Sequence, residues 1–235
     1  MNRLLDVASS FAATLSRALS GIQVQTGSLG ARPEKPLELY EFEGCPFCRK
    51  VREALTNLDL DAVVYPCPKN GPRYRPELTR RGGKAQFPYL VDPNTGTEMY
   101  ESDDIVQYLY DTYGDGNVPL ALRAGPLTLL TVALPGVVRP GLGTHYRAAR
   151  TPEQPLELWS FEGSPFCRIA RETLCELELP YRLHNVGKGG ARRDAFVKRS
   201  GKMMVPFLSD PNTGTELFES ADIKDYLERT YALPG

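Results

Sequence analysis

Apolar residues follow two periods along the chain. From Leu37 to Phe42 they alternate with polar ones, as in a half-buried strand. From Pro46 onward the spacing turns helical, with Val51, Leu55 and Leu58 on one side. Proline at the first helical position suits this start, because its missing N–H would be unpaired there anyway. A second strand at Ala62 to Tyr65 should run parallel to the first, since a helix connects them. Tyr89 to Val91, the turn Asp92-Pro93-Asn94-Thr95-Gly96 and Thr97 to Tyr100 read as a hairpin, with Gly96 free to take positive φ. A last helix, Ser102 to Tyr113, carries Ile105, Val106, Leu109 and Tyr110 on one face. The predicted order is β, α, β, helix, β-hairpin, α, or four mixed strands with helices on both faces.

This pattern occurs twice. PLELYEFEGCPFCRKVREAL, from Pro36, aligns with PLELWSFEGSPFCRIARETL, from Pro155. FPYLVDPNTGTEMYESDDIVQYL, from Phe87, aligns with VPFLSDPNTGTELFESADIKDYL, from Val205. Cys45 and Ser164 lie 119 positions apart, Gly96 and Gly214 118, so one residue is lost between the two blocks. The expected division is a leader over 1–33, a first domain over 34–116, a connector over 117–152 and a second domain over 153–235.

Two apolar segments lie outside the copies. From about Asn2 to Ile22, Leu4, Leu5, Ala8, Phe11, Ala12, Leu15, Ala18, Leu19 and Ile22 form one helical stripe. This amphipathic helix is expected to pack on a domain, with a membrane-surface helix or a targeting stretch as the alternatives. Pro126 to Val138, PLTLLTVALPGVV, is shorter than the roughly 20 residues a bilayer span needs and is interrupted by Pro135-Gly136. It reads as a buried connector, so no transmembrane span is expected, and weak peripheral membrane contact is the alternative.

The 235 residues are 41% hydrophobic and 24% charged, the balance of an ordinary globular protein. With a net charge of −1 the chain lacks the basic excess of a nucleic-acid partner. Its cysteines, Cys45, Cys48, Cys67, Cys167 and Cys175, are odd in number and sparse, unlike a secreted disulfide framework. A cytoplasmic or other reducing location is expected, and the N-terminus shows no secretory signal. Gly82-Gly83-Lys84 and Gly189-Gly190 lack the pattern of a phosphate-binding loop.

Cys45-Pro46-Phe47-Cys48, after a strand and opening a helix, is an arrangement that makes a thiol reactive. Unpaired N–H groups and the helix dipole favour a thiolate at Cys45. Such placement lowers a cysteine pKa from about 8.5 into a range of roughly 3.5 to 7.5. Cys48, one turn on, faces the same side and can attack a mixed disulfide on Cys45. A structural zinc site would want four ligands, and Cys67, His145 and His184 show no such spacing, so no metal is expected. Purely structural thiols remain the alternative.

Cys-Pro-Phe-Cys after a first strand, Phe87-Pro88 before a third, and Glu101-Ser102-Asp103 opening the last helix resemble a glutaredoxin or the N-terminal domain of glutathione transferases. The second copy resembles them through Ser164-Pro165-Phe166-Cys167, Val205-Pro206 and Glu219-Ser220-Ala221. The resemblance implies an α/β fold of two tandem thioredoxin-like domains. It implies glutathione as substrate or ligand, and disulfide or glutathionylated substrates. It also implies a cis bond before Pro88 and Pro206, with the backbone of Phe87 or Val205 pairing the cysteinyl part of glutathione. Glu101 and Ser102, or Glu219 and Ser220, would hold the γ-glutamyl end, and Pro46 and Phe47 join the glutathione-contacting positions. Alone, Glu101-Ser102-Asp103 also reads as a helix cap and Pro88 as an edge-strand start.

Ser164 stands where Cys45 does, and a hydroxyl cannot form a disulfide. The second copy therefore binds glutathione through Ser164 near its sulfur, binds it without chemistry, or serves packing alone. Cys167 and Cys175 read as buried thiols. Cys67 follows the second strand at the sheet edge where Cys45 opens, as an alternative resolving thiol, an oxidation sensor or a cluster ligand. The leading expectation is a glutaredoxin-like oxidoreductase with Cys45 as nucleophile and Cys48 as resolving thiol. Glutathione transfer or isomerisation, and a non-catalytic module for glutathione or an iron–sulfur cluster, are the alternatives.

Overall fold

The computed structural model describes residues 3–15, 20–123, 125, 131, 133, 134 and 136–234. Copy 1 consists of β1 (Leu37–Glu41), α2 (Pro46–Asn57), β2 (Ala62–Pro66), α3 (Tyr74–Gly82), β3 (Tyr89–Asp92), β4 (Thr97–Met99) and α4 (Ser102–Tyr113). Copy 2 repeats the order as β5 (Leu156–Ser160), α5 (Pro165–Glu176), β6 (Tyr181–Asn185), α6 (Arg192–Ser200), β7 (Phe207–Asp210), β8 (Thr215–Phe218) and α7 (Ser220–Tyr231). In each copy the first two strands are parallel and the hairpin joins antiparallel, as the sequence pattern requires.

Leu39, Val51, Leu55, Leu90, Ile105 and Leu109 lie at the heart of the first core, and Leu158, Ala170, Leu174, Leu208, Ile223 and Leu227 of the second. The repeated Asp-Pro-Asn-Thr-Gly turn is anchored from within. Asp92 accepts hydrogen bonds from the Asn94 backbone (2.8 Å) and from the hydroxyls of Tyr108 (2.7 Å) and Tyr113 (2.5 Å). Asp210 repeats this with Asn212, Tyr226 and Tyr231.

The copies share one sheet. β2 pairs antiparallel with β6, giving the continuous order β4-β3-β1-β2-β6-β5-β7-β8. Pairing the two edge strands satisfies backbone groups that two separate sheets would leave open. Beside this seam the helices α2 and α5 bring buried charges together. Arg52 pairs with Glu162 of the other copy (2.8 Å) and with Glu41 of its own, while Arg171 pairs with Glu43 across the seam (3.0 Å) and with Glu162 (2.8 Å).

Segments outside the copies cross over as well. The chain ahead of copy 1 crosses to copy 2, with Gly163 N–H donating to Gly21 C=O (2.8 Å) and Lys188 N–H to Ile22 C=O (2.8 Å). The chain ahead of copy 2 does the same to copy 1, with Gly44 N–H donating to Gly143 C=O (3.0 Å) and Lys69 N–H to Thr144 C=O (2.6 Å). The duplicated unit is thus longer than the thioredoxin-like domain.

The leader helix α1 (Arg3–Leu15) packs along α5, as its amphipathic pattern suggests, but it buries the opposite face. Asp6, Ser10, Ala13 and Thr14 are buried, whereas Leu4, Leu5 and Leu15 are 77%, 63% and 65% exposed. The polar side wins because its partners are polar: Asp6 pairs with Arg139 (2.6 Å), and Ser10 donates to Pro165 C=O (2.7 Å) and accepts from Arg168 at its own C=O (2.9 Å). Ala18 and Leu19 of the stripe lie outside the described residues. The connector also departs from expectation: Ala133, Leu134, Gly136, Val137 and Val138 are exposed, and the buried residue is Arg139, held by Asp6 and by Glu172 (2.5 Å). The rest of the Pro126 to Val138 run, apart from Thr131, lies outside the described residues.

Candidate functional site

Cys45 is the N-cap of α2, and its sulfur accepts the Cys48 backbone N–H at 3.3 Å. The cap leaves the thiol where backbone donors converge. A hydrogen bond from the Cys48 thiol pulls the Cys45 pKa below its ordinary value; the Cys48 N–H helps, while burial and the Glu41 carboxylate oppose it. Cys48 goes the other way, pushed well up by burial and by its hydrogen bond and charge interaction with Cys45. The two thiols are therefore split, one favouring the thiolate and one holding its proton. Cys45 is 4% exposed and Cys48 fully buried behind it.

The other expected positions lie where the motif elements of each copy put them. Both Phe87-Pro88 and Val205-Pro206 are cis. The Phe87 ring meets Phe42 edge-on (5.9 Å), and the Arg75 guanidinium lies over it (4.5 Å). Glu101 and Glu219 cap α4 and α7 with φ of 69° and 64°, a conformation costly for any residue with a Cβ. Such an outlier costs of order 1–3 kcal/mol and clusters at functional sites. Neither side chain makes a capping hydrogen bond, and positive φ also recurs at Asp59 and Glu178, matching positions of the two copies. Gln86 donates to the Glu101 carboxylate at 2.5 Å. Ser102 and Ser220 are buried at the first positions of the helices. Pro46 opens α2, and Phe47 beside it is 44% exposed.

In copy 2 the serine reproduces the cap without the sulfur. Ser164 Oγ accepts Cys167 N–H at 3.2 Å, and Cys167 is buried with its pKa raised by burial. Ser164, Val205, Pro206, Glu219 and Ser220 line one cavity of about 640 Å³. Cys67 and Cys175 are buried thiols whose pKa burial pushes well up. Cys67 donates to Tyr65 C=O, and Cys175 to Gly143 C=O of the crossing segment. Among the described residues no group of three or more His, Cys, Asp or Glu is placed to hold a metal ion.

Several residues at these sites carried no sequence signal of their own. Lys50 pairs with Asp103, bridging α2 to the first turn of α4; in copy 2 the same places hold Ile169 and Ala221, so both charges are absent together. Glu41 stands where copy 2 has Ser160, and Gln86 where it has Met204. Setting the copies side by side would have shown each difference, but only the structure shows what each touches.

The family model for the glutathione S-transferase N-terminal domain matches twice, over residues 39–117 and 158–235. The chain belongs to that family. Two glutathione S-transferase N-terminal domains in tandem account for both halves of the sheet. No curated protein sequence matches the chain. Among solved structures, a Bombyx mori glutathione transferase is similar at 29% identity over 36% of this chain and 38% of its own, with a TM-score of 0.32. A trimeric glutathione transferase of Leishmania is similar at 16% identity over 86% of this chain and 68% of its own, with a TM-score of 0.31. The chain thus spans less than half the length of the silkworm enzyme.

Proposed function

We propose that copy 1 is a glutathione-linked thiol-disulfide oxidoreductase and that copy 2 is a glutathione site without redox chemistry. The observation that carries this reading is the split between the two thiols: Cys45 is lowered and capped, while Cys48 is raised and buried one turn behind it. In the proposed cycle the Cys45 thiolate attacks the glutathione sulfur of a mixed disulfide. A Cys45–glutathione disulfide forms, and the substrate leaves as a thiolate that takes up a proton. A second glutathione thiolate then attacks the glutathione sulfur held on Cys45, releasing glutathione disulfide and restoring the Cys45 thiolate. Alternatively Cys48 loses its proton and attacks Cys45, expelling glutathione and leaving an intramolecular disulfide that two further glutathiones reduce.

Glutathione itself is assigned to the family positions. Phe87 and Val205 offer backbone beside a cis-proline, and Ser102 and Ser220 stand at helix N-termini suited to a carboxylate. Glu101 and Glu219 offer carboxylates to its ammonium group. The cycle needs a reduced glutathione pool, so the reading calls for a reducing compartment.

Glutathione-dependent reduction of a small mixed disulfide tests this directly. The intact chain should turn over, Cys45→Ser should lose at least about a hundredfold in rate, and Ser164→Cys should gain a second, slower activity. Undiminished turnover in Cys45→Ser would remove copy 1 as the site.

A further inference from the structure

The leader helix and the connector turn apolar residues outward on the same side of the sheet. Apart from Arg3, the exposed residues of α1 are Leu4, Leu5, Ala8, Phe11, Ala12 and Leu15, which is its apolar stripe. The rotation of the helix is fixed from its polar side. Asp6 pairs with Arg139 (2.6 Å) and Lys224 (3.6 Å), and Ser10 bonds to Pro165 and Arg168 of α5. Rolling the leucines inward would break these buried contacts. The connector covers copy 1 in the same way. Ala133, Gly136 and Arg139 line a small cavity with Pro46 and Arg49 at the start of α2, while Leu134, Val137 and Val138 are exposed, Val137 by 74%. Arg139 also ties the two segments together, donating to the Asp6 C=O (2.7 Å). Because α2 and α5 share the charged seam, the segments that cover them lie on one side of the sheet.

The charges of the two segments are one-sided. From Met1 to Ser20 the charged side chains are Arg3, Asp6 and Arg17, and from Gly116 to Arg139 they are Arg123 and Arg139. The single acid, Asp6, is buried against Arg139, which is buried as well. Among the described residues of these segments, the charges left at the surface are therefore cationic: Arg123, and Arg3, whose guanidinium also reaches Glu219 (3.8 Å). An uncharged apolar stripe beside exposed arginines suits the interface of an anionic bilayer, where apolar side chains enter the acyl boundary and cations meet the headgroups. No described helix is long and apolar enough to cross a membrane, so the contact is with its surface. A second copy fits less well. A two-fold contact would set the arginines of one patch near those of the other, and neither segment exposes an acid to meet them.

We propose that α1 and the connector together form a docking surface for an anionic lipid bilayer. Leu5, Leu134, Val137 and Val138 enter the acyl boundary, and Arg3 and Arg123 meet the lipid phosphates. The inference is independent of the glutathione reading, and it accounts for a leader helix that buries its polar side and shows its apolar one.

Flotation of the full chain with unilamellar vesicles tests this. The vesicles are phosphatidylcholine alone and phosphatidylcholine with phosphatidylglycerol in equal parts. Each arginine near an anionic surface is worth roughly fivefold, so the mixed vesicles should bind the chain at least about tenfold tighter than phosphatidylcholine alone. Leu5→Glu combined with Val137→Glu should lower binding to the mixed vesicles at least about tenfold, because two apolar side chains no longer leave water. Both residues are exposed, so the fold should survive, and circular dichroism checks it. Arg3→Gln combined with Arg123→Gln should remove most of the preference for the mixed vesicles. No flotation with either vesicle, or undiminished binding by the Leu5→Glu, Val137→Glu variant, would overturn the proposal. Self-association of the lipid-free chain that the same variant abolishes, read by sedimentation velocity, would give the surface to a second copy and overturn it as well.

Discussion

Glu41 is a buried residue at which the two copies differ in charge. It ends β1, is fully buried, and faces Arg52 from the position that Ser160 occupies in copy 2. Burial pushes its pKa up to about 7, with Arg52 pulling back and Glu43 and Glu162 adding to the rise. Between the ordinary carboxyl value and 7 the folded chain holds a proton that the unfolded chain gives up. Stability therefore falls as pH rises through that window and levels off above it. Urea midpoints measured from pH 5 to 7 should decline more steeply for the natural chain than for Glu41→Gln, and equal slopes would remove Glu41 as the source. Among the thiols, the direction of the shifts predicts that iodoacetamide labels Cys45 first at pH 7, ahead of Cys48, Cys67 and Cys175. Peptide mapping reads this, and faster labelling of Cys48 would reverse the assigned roles. The N-cap place of Cys45 was legible in Cys-Pro-Phe-Cys because a helix start is set locally. The left-handed φ of Glu101 and Glu219 was not, because nothing in a Glu-Ser pair announces a backbone that only the surrounding fold imposes.

At the scale of elements, strands, helices and hairpins followed directly from period and turn chemistry, since each depends on neighbours a few residues apart. What covers them did not. The leader helix was expected to bury Leu4, Leu5 and Leu15, yet it buries Asp6 and Ser10, because Arg139 and Arg168 offered partners that no local pattern reveals. The shared Phe-Glu-Gly before each motif belongs to this level too. Glu43 and Glu162 serve the charged seam between α2 and α5, and Gly44 and Gly163 leave room for the crossing segments. A Cβ at Gly163 would fall within 2.9 Å of Ser20 C=O. Removing one member of a buried ion pair strands its partners, at a cost of about 3–5 kcal/mol. Arg171→Ala, which leaves Glu43 without its partner across the seam, should lower stability by about that amount in a denaturant titration. A change below about 1 kcal/mol would show the seam to be dispensable.

The whole molecule is a duplicated domain folded as its own partner. One sheet runs through both copies, each leader reaches over the opposite copy, and the charged seam is reciprocal. The duplication was plain in the sequence, but the joining of β2 to β6 was not, because two edge strands give no sign of which edge they will meet. Within this near-symmetric frame the chemistry is unequal. Copy 1 holds two thiols of opposite character, and copy 2 holds a serine beside an apolar cavity. Intact-mass analysis of Cys48→Ser after incubation with glutathione disulfide tests that inequality most directly, since loss of the resolving thiol traps the mixed disulfide. One glutathione per chain, mapped to Cys45, is the expected result. No adduct, or an adduct on Cys67, Cys167 or Cys175, would contradict the assignment of the redox site to copy 1.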